Sequence, residues 1–169
     1  MRALSTRTPS RPAESLRRPS PPSRPTWVDA APFRAHLRRV LAAADVPWPA
    51  VAVAAGIPVA TVHTLLFGRA GRPQARIDPR VAARVLRIEP RDLRLLGLVR
   101  VDAWATVERL RAALAAGLDP LQLARWCRIP PDELAALVDG ESATCSRLTQ
   151  AMSLAVRRLG AAAPGDRAA

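Results

Sequence analysis

One internal spacing constrains this chain more than any other feature. Ala52, Gly56, Ile57, Pro58, Val62, Leu65 and Gly68 recur 72 residues later as Ala124, Arg128, Ile129, Pro130, Leu134, Leu137 and Gly140. One residue fewer in the preceding turn aligns Leu37 and Leu41 with Leu110 and Leu114 at an offset of 73. A period of this kind means that one supersecondary unit is used twice. In each copy a small Ala lies ahead of a tight turn, an Ile follows it, and a Val or Leu stands five residues beyond the Ile. This is the spacing of two short helices crossing at a turn, a helix-turn-helix. The Ala lets the second helix approach closely, the turn position favours positive φ, and the aliphatic pair sets the crossing angle.

The rest of the pattern predicts helices. Asp29 is placed to cap a first helix with Pro32 in its opening turn. Phe33, Leu37, Val40, Leu41 and Ala44 then form one apolar stripe. A short helix over Pro49–Ala55 ends at Gly56, a third starts near Pro58 and stops at Gly68, and 69–76 reads as a flexible basic loop. Asp78-Pro79 is an N-cap and N1 pair launching a helix with Val81, Val85 and Leu86 on one face. Residues 90–97 read as a short helical turn or linker. In the second copy Asp119-Pro120 with Gln122 makes a capping box, and a closing helix carries Leu148, Met152, Ala155 and Leu159. Trp104 and Trp126 are expected to fill the second core, and Trp48 to plug the gap between its two prolines. The fold class is therefore all-α: two tandem helix-turn-helix bundles, residues 27–100 and 101–160, behind a disordered N-terminal arm, residues 1–26, and ahead of a frayed tail, residues 161–169.

The arm follows from composition. It holds six of the 17 prolines and six Arg against one acid, with Leu4 and Leu16 as almost its only large apolar groups. Such a segment buries too little to offset the entropy of ordering. It reads as a solvated tail, with a DNA-contacting arm as the functional alternative; on the latter reading its removal leaves stability unchanged and weakens DNA affinity at low salt. Two cysteines exclude a disulfide-dense scaffold and a four-Cys zinc module. His36 and His63 have no carboxylate at ligand spacing, so no metal is expected. No nucleophile-base pattern or phosphate-binding glycine loop occurs, and neither enzyme activity nor cofactor is expected. No apolar run approaches the roughly 20 residues of a membrane span.

Charge locates the candidate site. All 26 cations are Arg, for a net +12. Residues 1–26 carry +5, residues 27–100 carry twelve Arg against five acids, and residues 101–169 carry eight of each. A polyanion site therefore belongs to the first copy, with Arg34, Arg38, Arg69, Arg72 and Arg76 as phosphate contacts. The neutral second copy is assigned to self-association or a protein partner. Arg80, Arg84, Arg87, Arg91 and Arg94 are expected to line an exposed helical face.

The runs Leu37-Arg38-Arg39-Val40-Leu41, Val51-Ala52-Val53-Ala54-Ala55-Gly56-Ile57 and Leu65-Leu66-Phe67-Gly68 resemble the helix-turn-helix regulators of actinobacteria and their phages. Val101-Asp102-Ala103 and Leu118-Asp119-Pro120-Leu121-Gln122-Leu123-Ala124-Arg125 are similar to the second unit of tandem, repressor-like members; the resemblance covers residues 30–158. It implies a transcriptional regulator of the bacterial cytoplasm and nucleoid that binds duplex DNA. Its base-contacting positions fall on Val59, Ala60, Thr61, His63 and Thr64. The chain departs from the pattern in lacking a bidentate Arg or Gln there, in placing Asp132 and Glu133 on the second recognition helix, and in putting Arg128 at a turn position that favours Gly. The alternative expectation is a non-enzymatic interaction scaffold with degenerate modules.

Overall fold

The computed structural model describes residues 26–159. The expected arm up to residue 25 and the tail, residues 161–169, lie outside the described residues. The first half runs β1 (Val28–Asp29), α1 (Ala31–Ala44), α2 (Pro49–Ala55), α3 (Val59–Phe67), β2 (Arg76–Ile77), α4 (Pro79–Leu86) and α5 (Pro90–Leu95). The second repeats that order as β3 (Arg100–Asp102), α6 (Trp104–Ala115), α7 (Pro120–Cys127), α8 (Pro131–Asp139), β4 (Thr144–Ser146), α9 (Arg147–Leu154) and α10 (Val156–Leu159).

Helix boundaries follow local chemistry. Pro49, Pro79, Pro90, Pro120 and Pro131 each open a helix, where a fixed φ helps and no N–H is needed. The Asp78 carboxylate accepts from the Arg80 N–H and the Asp119 carboxylate from the Gln122 N–H, both at 2.7 Å. At the turn after α2, Gly56 takes φ 62; at the matching turn after α7, Arg128 takes φ 55. The second copy thus keeps the left-handed turn without its glycine. Residues 90–97 hold a true helix, α5, whose entry is closed by the Glu89 N–H donating to Asp92 at 2.9 Å. The closing helix of the second half breaks at Ala155 into α9 and α10.

The molecule is mostly helical, in keeping with the all-α expectation, and carries two small strand pairs besides. One small antiparallel pair in each half joins its first strand to the strand after its third helix: Val28 lies opposite Ile77, and Val101 opposite Cys145. Strands of two or three residues leave no alternating signature, and their partners are remote in sequence. They also extend the repeat. Val28-Asp29-Ala30 and Val101-Asp102-Ala103 stand at the head of each half, with the Ala30 N–H donating to Ala75 at 2.9 Å and the Ala103 N–H to Ala143 at 3.0 Å. Asp29 is accordingly not the N-cap. It lies in β1 and accepts from the Ala31 N–H at 3.0 Å, as Asp102 accepts from the Trp104 N–H at 2.9 Å.

Each half has its own interior. Leu37, Val51, Val62, Leu65, Ile77, Val85 and Leu93 make the first. Leu110, Leu123, Leu134 and Met152 make the second, with a smaller cluster of Ala103, Val107, Leu137 and Cys145. The halves are joined, because Leu148 on α9 packs against both interiors. Helix α2, with the sequence Pro-Ala-Val-Ala-Val-Ala-Ala, is small enough for α9 to lie against it. Arg147 and Leu148 donate their N–H groups to Val99 and Leu96 at 2.8 and 2.9 Å. Two aliphatic and aromatic assignments are overturned: Leu86 is 55% exposed, and Trp104, expected in the second core, is 72% exposed. Both stand on outward faces, where their helices' buried stripes do not reach. Trp126 does pack on the second core and donates from Nε1 to the Met152 carbonyl at 3.1 Å.

Candidate nucleic-acid interface

Helix α3 packs on α1 and α2 through Val62, Leu65 and Leu66. The opposite stripe, at i, i+4 and i+7, is Ala60, Thr64 and Phe67; Phe67 is 50% exposed. Of the five positions expected to meet bases, Ala60 is exposed and Thr61 and Thr64 are half-buried on or beside this stripe. Thr64 Oγ1 donates to the Ala60 carbonyl at 2.8 Å. Val59 turns inward and packs against the first core. His63 lies in a ring cluster, 5.4 Å from Trp48 and 5.0 Å from Phe67, with Trp48 and Phe67 5.8 Å apart. This cluster ties α3 to the residue that precedes α2. Phe67 was missed as an outward residue, although its seven-residue spacing from Ala60 was the available signal.

The five arginines separate into two groups. Arg34 donates from Nε to the Leu65 carbonyl at 2.8 Å and from Nη2 to Gln74. Arg38 Nη2 donates to the Leu66 carbonyl at 3.3 Å. Both guanidiniums thus satisfy carbonyls at the end of α3 that have no helical partner. The second half repeats the device, since Arg111 Nε donates to the Val138 carbonyl at 2.8 Å. Nothing in the charge pattern distinguishes arginines that bond a helix end from the rest; the signal, for Arg38 and Arg111, was their recurrence in the repeat.

Arg69, Arg72 and Arg76 are exposed. The expected loop is an ordered hairpin: Arg69 and Arg72 exchange backbone hydrogen bonds of 2.9 and 3.0 Å. Ala70 and Gly71 between them take φ 49 and 74, a two-residue turn of the type that suits tight hairpins. Gly68 at its base is obligatory: a Cβ there would stand 2.2 Å from the Arg72 carbonyl oxygen. Arg69 and Arg72 therefore project from a fixed turn directly after α3. Arg76 is in β2, opposite Asp29.

The second half lacks these features. Its α8–β4 connection, residues 140–143, carries no hairpin, and α8 presents Asp132 and Asp139 to solvent. Glu133 pairs with Arg100 at 3.9 Å. Both cysteines are buried thiols: burial pushes Cys127 up to about 12 and raises Cys145 as well, which makes them poor nucleophiles. No helix among the described residues is long and apolar enough to cross a membrane. Comparison of the chain with protein-family models, with curated proteins and with solved structures gave no match.

Proposed function

We propose that the chain is a non-enzymatic, sequence-selective duplex-DNA-binding regulator of the bacterial cytoplasm, acting through its first half. On this reading α2 and α3 form a helix-turn-helix pair, and α7 and α8 a second, degenerate one. One observation carries the reading: the outward stripe of α3 has no carboxylate and runs straight into a fixed turn that holds Arg69 and Arg72 exposed. In the major groove, Ala60 and Phe67 would pack on thymine methyls and Thr64 would meet a base edge or phosphate. Arg69 and Arg72 would follow the sugar-phosphate backbone, which positions the helix without reading sequence. Arg34, half-buried and bonded to two carbonyls, is committed to the end of α3, whereas Arg38, exposed and making one 3.3 Å bond there, keeps donors for a phosphate. The second half, acidic along α8, supports α2 through α9 and leaves base reading to the first.

A second reading, an interaction adaptor, draws on the exposed run at the junction, where Leu95 is 52%, Leu98 77% and Val99 41% exposed. Titration of the full chain against duplexes selected from random DNA and their scrambled versions, at several salt concentrations, separates the two. The regulator reading requires a preferred duplex. It also requires that Arg69→Ala with Arg72→Ala flattens the log–log salt slope by up to about one unit per lost contact. Equal affinity for every duplex, no greater than that of an arginine-matched unstructured peptide, would leave the adaptor reading standing.

A further inference from the structure

Comparing the two halves exposes a site. In the first, the Arg34 guanidinium lies between the Leu65 and Gln74 carbonyls, inside the connection from α3 to β2. The repeat places Val107 at the matching position of α6, and the matching connection is four residues shorter. The backbone frame is retained, through the Ala30–Ala75 and Ala103–Ala143 hydrogen bonds of 2.9 and 3.0 Å. The guanidinium and the hairpin are therefore what the second half has lost. In their place is a groove of about 300 Å³, lined among others by Asp102, Trp104, Val107, Glu108, Arg111 and Ser142.

We propose that this groove receives an arginine side chain from residues 1–25 of the same chain. The first half supplies the template, since a guanidinium fills the equivalent space there. The lining supplies the chemistry. Among the described residues Glu108 pairs with Arg111 alone, at 3.5 Å, and keeps capacity for a second cation, and Asp102 adds a carboxylate to the lining. Trp104, 72% exposed, offers an indole face on which a planar guanidinium stacks. Residues 1–25 supply the occupant, with six arginines against one acid. Twenty-five residues reach up to about 80 Å when extended, against a radius of gyration of about 14 Å for a body of this size. Tethering holds those arginines near the groove at an effective concentration of about 1 mM.

The test is limited trypsin digestion of the full chain, following cleavage after Arg7 and Arg17 by mass spectrometry beside the free 1–25 peptide. At about 1 mM effective concentration, a site with a dissociation constant of ~0.1 mM slows cleavage about tenfold at or beside the arginine it holds. Trp104→Ala and Glu108→Gln, both at exposed positions, should each restore cleavage toward the free-peptide rate, while unfolding stays cooperative and stability falls by no more than about 1.4 kcal/mol, the tenfold occupancy converted. Wild-type cleavage at the free-peptide rate overturns the proposal. Protection that survives both variants places the arm elsewhere and overturns the groove. Protection that rises with protein concentration assigns the groove to a second copy's arm and overturns same-chain docking.

Discussion

The Arg128 guanidinium donates from Nη1 to the Asp45 carbonyl at 2.8 Å, spanning the junction between the two halves. Both residues hold left-handed backbone, Arg128 at φ 55 after α7 and Asp45 at φ 53 after α1. The sequence repeat puts Gly56 where Arg128 stands, so the second half accepts a strained turn residue whose side chain reaches the first half. The carboxylate of Asp45 adds little. Its oxygen is 3.9 Å from Arg128 and its side chain is 95% exposed, where an ion pair is screened.

Arg128 therefore combines a local cost with a distant contact, and two substitutions separate them. Arg128→Ala keeps the left-handed strain and removes the hydrogen bond, an expected loss of about 1 kcal/mol. Arg128→Gly removes both, and relief of about 1 kcal/mol of strain should offset the lost bond. Urea denaturation should rank wild type and the Gly variant close together, with Ala below. A Gly variant as unstable as the Ala variant contradicts the left-handed turn.

Two glycines with positive φ should respond differently to the same change. A Cβ at Gly56 would meet nothing within 4 Å, so Gly56→Ala should cost only the conformational term of about 1 kcal/mol. Gly68 would bring a Cβ to 2.2 Å from a backbone oxygen, at φ 83 and ψ −166, a region nearly closed to other residues. Gly68→Ala should cost upward of about 3 kcal/mol and displace the Arg69–Arg72 turn. Thermal melts give the first comparison, and amide exchange at Arg69 and Arg72 the second.

Arg34 and Arg69 carry the same charge and should fail in different ways. Arg34→Ala strips the Leu65 and Gln74 carbonyls of their donor, at an expected cost of about 1–3 kcal/mol. Arg69→Ala should leave the melting temperature within about 1 °C, because surface changes away from such contacts stay small. On the proposed function, only the second variant should flatten the salt dependence of DNA affinity. A stable Arg34→Ala protein would mean that its guanidinium does not hold the end of α3.

The chain contains no Lys and no Tyr, so above pH 9 its thiols dominate the titration of stability. Burial raises Cys127 from 9.0 to about 12 and raises Cys145 too. In that window the unfolded chain has released protons that the folded chain retains. Stability is thus fully present below pH 9 and falls as the pH rises, by up to about 1.4 kcal/mol per unit per thiol. Denaturation midpoints of wild type and Cys127→Ala at pH 7, 9, 10 and 11 should show a shallower alkaline decline in the variant. Equal slopes would contradict a buried thiol at Cys127.

Features that depend on near neighbours were legible in the sequence. Pro49, Pro79 and Pro120 mark helix starts because proline's fixed φ suits a first turn. Asp78 and Asp119 cap because their carboxylates reach N–H groups two or three residues on. Val62, Leu65 and Leu66 point inward because the helical period places them on one face. The turn at Arg128 was legible too, through its match to Gly56. Which arginines stay free follows from the packing of distant segments. Arg34 and Arg69 are alike in sequence, and it is the end of α3, brought against α1, that engages one and leaves the other exposed. The strands were also invisible, since Val28 meets Ile77 only after three helices have packed between them. Trp104 is another case: like Ala31 at the start of α1, it stands exposed at the start of α6, and local periodicity carries no information about which helix ends distant segments cover.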